Sequence, residues 1–115
     1  PIVYINYSPL LPNILGLTRH LEPGIYAVDL NPLYPQKDLE STLVHELIHV
    51  MQIFSGRLKI LQGEVQWEGK KWSLLTPYQQ RPWELEAYLM TQILIAETTP
   101  RELSETLFPG TINLK

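Results

Sequence analysis

The spacing of apolar residues changes rhythm along this chain, and each rhythm predicts a different element. Residues Ile2 to Asn6 (IVYIN) are β-branched and aromatic and run into Tyr7-Ser8-Pro9, which predicts a short strand. A second strand is expected at Gly24 to Leu30 (GIYAVDL), entered through Pro23-Gly24 and closed by Asn31-Pro32. Between them Pro9 to Pro23 reads as loop, with one extended piece at Leu15 to His20, because the prolines from Pro9 to Pro32 leave no room for a long helix.

The period then becomes helical. Asp38 is a candidate cap for a helix running through LESTLVHELIHVMQIF and stopping near Ser55-Gly56. Leu43, Leu47, Val50 and Phe54 form one apolar stripe and Val44, Ile48 and Met51 another, so the helix should be buried around most of its circumference. From Arg57 to Leu75 the pattern predicts a β-hairpin that turns at Glu68-Gly69 between Trp67 and Trp72. Pro82 suits the first turn of a second helix, WELEAYLMTQILIAE, and Thr99-Pro100-Arg101-Glu102 suits the start of a short C-terminal helix to about Phe108. The expected architecture is α+β: a small antiparallel or mixed sheet and a hairpin packed on two central helices, forming one domain over residues 1–115.

Composition narrows the functional classes. With 44% apolar and 18% charged residues the chain is globular, and no apolar run approaches the ~20 residues needed to span a bilayer. The net charge of -3 comes without any block of lysine or arginine, which argues against nucleic acid as a partner. Cysteine is absent, so disulfides, thiolate nucleophiles and cysteine-bound zinc are all excluded, and any metal must rest on His, Asp or Glu. The N-terminus carries no export-signal pattern, which makes the cytoplasm the expected location.

The chemistry concentrates in Val44 to Gln52 (VHELIHVMQ). Residues four apart on a helix differ by about 40° in azimuth and ~6 Å in rise, so His45 and His49 project side by side and can share one ion. Glu46, turned about 100° from His45, is the candidate general base for a water activated by that ion. Burying two imidazoles and a carboxylate without partners costs roughly 1 to 3 kcal/mol for each group, a cost that metal coordination removes. A third ligand of the metzincin type is ruled out, since Gln52 and Ser55 stand where that pattern has glycine and histidine. Glu84 and Glu86, about 200° apart on the second helix, are the main alternatives, with His20, Asp29, Glu64 and Glu68 as others.

With H-E-x-x-H inside the uncharged stretch TLVHELIHVM, and with WEGKKW and PYQQRPWELEAY following, the chain resembles the zincin metallopeptidases. The likeness is to a small gluzincin-like group of short bacterial and phage proteins, and it covers roughly residues 26 to 97. It implies a zincin-like fold, a Zn2+ cofactor and a peptide or protein substrate. It also implies a glutamate just before alanine as third ligand, which favours Glu86-Ala87 and leaves Glu84 as a partner that orients a ligand. Tyr78, Tyr88, Arg81 and His20 are candidate oxyanion donors, and Trp67, Trp72 and Trp83 are expected in the core. A substrate cleft in so small a chain would use an exposed edge at Tyr26 to Leu30. The competing expectations are a zinc-stabilised assembly protein without activity, such as a phage virion component, and a metal-free interaction module.

Overall fold

Two sheets and two helices make up the computed structural model, which describes residues 1–96 and 111–114. The first sheet contains β1 (Ile2–Tyr7), β2 (Gly16–Glu22) and β3 (Ile25–Leu30), and is completed by β7 (Thr111–Leu114) in the order β2-β3-β1-β7. The second contains β4 (Leu58–Leu61), β5 (Glu64–Trp67) and β6 (Lys70–Ser73) as an antiparallel meander. Helix α1 (Gln36–Phe54) lies against the first sheet, and α2 (Pro82–Ile95) packs on α1.

Strand alternation explains how the first sheet meets α1. Val3 and Ile5 of β1, with Tyr26, Val28 and Leu30 of β3, share one face and form a core with Leu39, Leu47 and Val50 of α1. β1 and β3 run parallel, with Val3 opposite Tyr26 and Ile5 opposite Val28. On the opposite face Asp29 of β3 accepts hydrogen bonds from Arg19 at 2.6 and 3.1 Å and from Asn6 at 3.0 Å. Burial works against the Asp29 charge, but Arg19 and Asn6 outweigh it and hold the carboxyl below the usual carboxylate range.

Several expectations change in the structure. The extended piece expected inside a loop is a full strand, β2, paired antiparallel with β3 around Pro23-Gly24. β3 is therefore an internal strand flanked by β2 and β1, so the exposed edge expected at Tyr26 to Leu30 belongs to β2 instead. Asp38 does not cap α1: the helix begins at Gln36 after Pro35, and Asp38 sits in its first turn, where a negative charge suits the helix dipole. The hairpin turns at Glu68-Gly69 as expected, with φ of 51° and 83° at the two residues, but β4 adds a third strand to it. β7, parallel to β1, had no counterpart in the sequence pattern, and the expected helix to Phe108 lies outside the described residues.

The tryptophans fill a separate small core. Trp67 and Trp83 are buried with Leu58 and Val65, and Trp72 packs edge-on against Trp83 at 6.0 Å. This cluster fixes the meander against the start of α2. Among the described residues, no helix is long and apolar enough to cross a membrane.

Candidate metal centre

Helix α1 has three sectors, and the third carries the polar groups. Stepping about 100° per residue, Leu39, Leu43, Leu47 and Val50 point at the sheet, while Val44, Ile48 and Met51 point at Ala87, Met90 and Leu94 of α2. His45 and His49 fall between these sectors, where Glu84 in the first turn of α2 meets them. His45 Nε2 and His49 Nε2 lie 3.0 and 2.8 Å from Glu84 Oε1, and 3.1 Å from each other. The three side chains form a group that can hold a metal ion.

The donor set passes two tests of fit. First, ligand atoms around a tetrahedral zinc at ~2.0 Å are separated by roughly 3.3 Å, close to the triangle seen here. Second, the tautomer of His49 leaves a lone pair where a cation is needed. Gln52 is fully buried, and its Nε2 donates to Trp83 O and Glu86 Oε1, both at 3.0 Å. Its Oε1 therefore faces His49 Nδ1 at 2.8 Å and accepts that nitrogen's proton. A neutral His49 then aims an unprotonated Nε2 at a carboxylate oxygen, a pairing of two acceptors that a positive ion between them resolves.

With protons alone in the site, the same attraction appears as shifted ionisation. Burial opposes charge on His49, yet Glu84, then Glu46 and Gln52, raise the imidazole above its ordinary value. Burial likewise opposes the Glu84 charge, and hydrogen bonds from His45 and His49 overcome it, holding the carboxyl well below the usual range. Tyr78 O–H donates to Glu84 Oε1 at 3.0 Å, and burial followed by the Glu84 charge pushes its phenol up to about 12. Tyr78 is thus a proton donor throughout the neutral range.

Glu46 is brought to the same place by β2. Thr18 Oγ1 donates to Glu46 Oε1 at 2.8 Å, and both residues line a 290 Å³ cavity with His45, His49, Tyr78 and Glu84. That approach depends on Gly16: a Cβ there would fall 2.5 Å from Thr42 Cγ2 and 3.4 Å from Glu46 Cγ. A side chain at position 16 would force Thr42 to shift where β2 meets α1.

The structure brings together His45, Glu46 and His49 as expected, but with Glu84 instead of Glu86. Glu86 receives both terminal nitrogens of Arg57, at 2.9 and 2.6 Å, together with Gln52. These donors, working against burial, hold its carboxyl below the ordinary range. Glu84, expected to orient a ligand, thus lies in the group that could hold an ion, while Glu86, expected as the third ligand, binds Arg57 and the Gln52 that faces His49. The reason is azimuth: Ala87 is buried against α1, and Glu84 lies about 60° from it while Glu86 lies about 100° to the other side. The small inward-facing alanine was the available signal. Gln52, Arg57, Thr18 and Gly16 carried no chemical motif of their own.

The remaining candidates sort themselves by partner. His20 stacks on Tyr26 at 4.7 Å, Asp29 is held by Arg19, and Glu68 pairs with Arg57. Glu64 lies on β5 opposite Ser73. Tyr88 lines a 480 Å³ cavity that adjoins the site through His45, Glu46 and Tyr78, whereas Arg81 Nε is bound to Thr76 O at 2.8 Å. Comparison of the chain with family models, curated proteins and solved structures finds no match. The candidate site therefore rests on its own geometry.

Proposed function

We propose that this chain is a zinc-dependent peptidase in which His45, His49 and Glu84 hold the metal and Glu46 moves the proton. The observation that carries this reading is the convergence of two imidazole nitrogens and a carboxylate oxygen within about 3 Å, beside a second carboxylate in the same cavity. Two neutral nitrogens and one oxygen suit zinc and leave a position open for solvent or substrate. Zinc bound there supplies Lewis acidity, polarising a scissile carbonyl and acidifying water.

The chain's own groups do the rest. Thr18 occupies Glu46 Oε1, which leaves Oε2 to take a proton from the attacking water and return it to the leaving amine nitrogen. Tyr78 O–H, which donates to Glu84 Oε1 in the free site, lines the same cavity and would turn its proton to the oxygen that gains charge as the carbonyl carbon becomes tetrahedral. β2 is the end strand of its sheet, and Gly16, Leu17 and Thr18 line the cavity, so its outer backbone edge can align an extended peptide by strand addition. Peptides and proteins are accordingly the substrate class.

Metal analysis and one substitution test the reading. Purified protein should bind one zinc and cleave a peptide library, while Glu46→Gln should retain the zinc and lose turnover. A protein without stoichiometric zinc, or a variant that cleaves as well as wild type, defeats it.

A further inference from the structure

The site cavity does not end at Glu84. A second cavity of 210 Å³ shares Leu58, Ile60, Trp83 and Glu84 with it and extends along the meander to Val65, Leu74 and Arg81. Together they form a trough lined by the histidine pair in the first cavity, by Leu58, Ile60 and Trp83 where the two meet, and in the second by Arg81, which carries a guanidinium.

That guanidinium is unlike the others. Of the three arginines among the described residues, Arg19 is paired with Asp29 and Arg57 with Glu68 and Glu86. Among the described residues Arg81 is held by neutral groups: its Nε donates to Thr76 O at 2.8 Å, and its Cζ lies 5.8 Å from the centre of the Tyr78 ring. Its terminal nitrogens meet no carboxylate among the described residues, while the bond from Nε tethers the group beside the ring. A planar, oriented fork of N–H donors beside an apolar wall is the complement of a carboxylate attached to an apolar residue.

We infer that the Arg81 end of the trough is a subsite for the C-terminal carboxylate of a peptide, with Leu58, Ile60 and Trp83 receiving its apolar side chain. Resting on the peptidase reading above, this makes the substrates peptides with a free C-terminus and an apolar last residue, cut near that end. Arg81 is then a specificity residue: it precedes α2 by one position and stands three residues before Glu84, so one short segment of chain sets both the proposed metal ligand and the anchor.

Binding decides the matter without turnover. Zinc-loaded Glu46→Gln protein is titrated calorimetrically with acetyl-Ala-Leu as free acid and as carboxamide. The acid should bind ~10-fold or more tightly, the effect of a charge-assisted pair, and Arg81→Gln in the same background should bring the two within about 2-fold. Equal affinities in the parent overturn the inference. So does a preference that survives Arg81→Gln with normal zinc uptake, because the carboxylate then sits on the metal. In the parent protein the Arg81 Nε–H resonance should also shift with the acid and stay put with the amide, which tests the anchor even if the variant misfolds. Failure to take up zinc strikes at the peptidase reading alone, since the acid and amide titrations are then run on the metal-free protein and the preference for the acid is still read.

Discussion

Helix α1 faces two neighbours built on opposite principles. Toward the sheet it presents Leu39, Leu47 and Val50 to Val3, Ile5, Tyr26, Val28 and Leu30, an apolar contact without a charged group among these residues. Toward the start of α2 and the meander it presents His45, His49 and Gln52 to Glu84, Glu86 and Arg57, joined by hydrogen bonds of 2.6 to 3.1 Å. Apolar packing stabilises roughly in proportion to area and tolerates changes of shape. A buried polar network contributes little net stability but fixes which atom points where. The sheet side should therefore control whether the chain folds, and the α2 side what the folded chain binds.

The largest expected break in this contrast is Leu47→Ala. Leu47 is fully buried between helix and sheet, so its truncation should cost about 2–5 kcal/mol in denaturant unfolding while zinc stoichiometry at low temperature is unchanged. Glu84→Ala should do the reverse, lowering zinc affinity more than ~100-fold, beyond the range for groups that only orient ligands, with a smaller change in unfolding. If Glu84→Ala lowers the melt more than Leu47→Ala does, the two sides are not specialised as described.

Next in size is Gln52→Leu, which keeps the shape of the side chain but removes the acceptor for His49 Nδ1. Zinc affinity should fall by ~10–100-fold, and an unchanged affinity would mean that the tautomer is set by something else. The smallest effect concerns the far face of the sheet. Asp29 has a lowered folded-state value, so its contribution is complete above the unfolded value of about 3.9 and is lost as pH falls through the folded one. Wild type should thus exceed Asp29→Asn in stability by a constant margin at neutral pH, with the margin shrinking below about pH 4. A margin unchanged down to strongly acid pH would remove Arg19 and Asn6 as the source.

Legibility in the sequence follows the same division. α1 was readable because its period, its length and the H-E-x-x-H spacing are all local, and the strands β1 and β3 announce themselves by β-branched residues between turn signals. β2 was harder, because GLTRHLE is an edge strand with little of its surface buried, and its register depends on β3. β7 pairs with a strand more than a hundred positions earlier, a contact that no local pattern encodes. Three members of the proposed site, His45, Glu46 and His49, came from the motif, but the choice of Glu84 depended on how α2 is rotated about its axis. Ala87 held that information as an absence of bulk, whereas the Glu86-Ala87 adjacency pointed the other way.

The line from His49 through Gln52 and Glu86 to Arg57 ends on the residue just before β4. A proposed metal ligand and the root of the meander therefore share one chain of bonds, although they lie on different elements. Zinc uptake should be felt well outside the imidazoles, as slower amide exchange along β4 and β5, and chelation should quicken local opening there before the sheet under α1 responds. The meander that walls the trough would then close most firmly when the ion is in place, so that a protein without metal should also bind the proposed peptide less well.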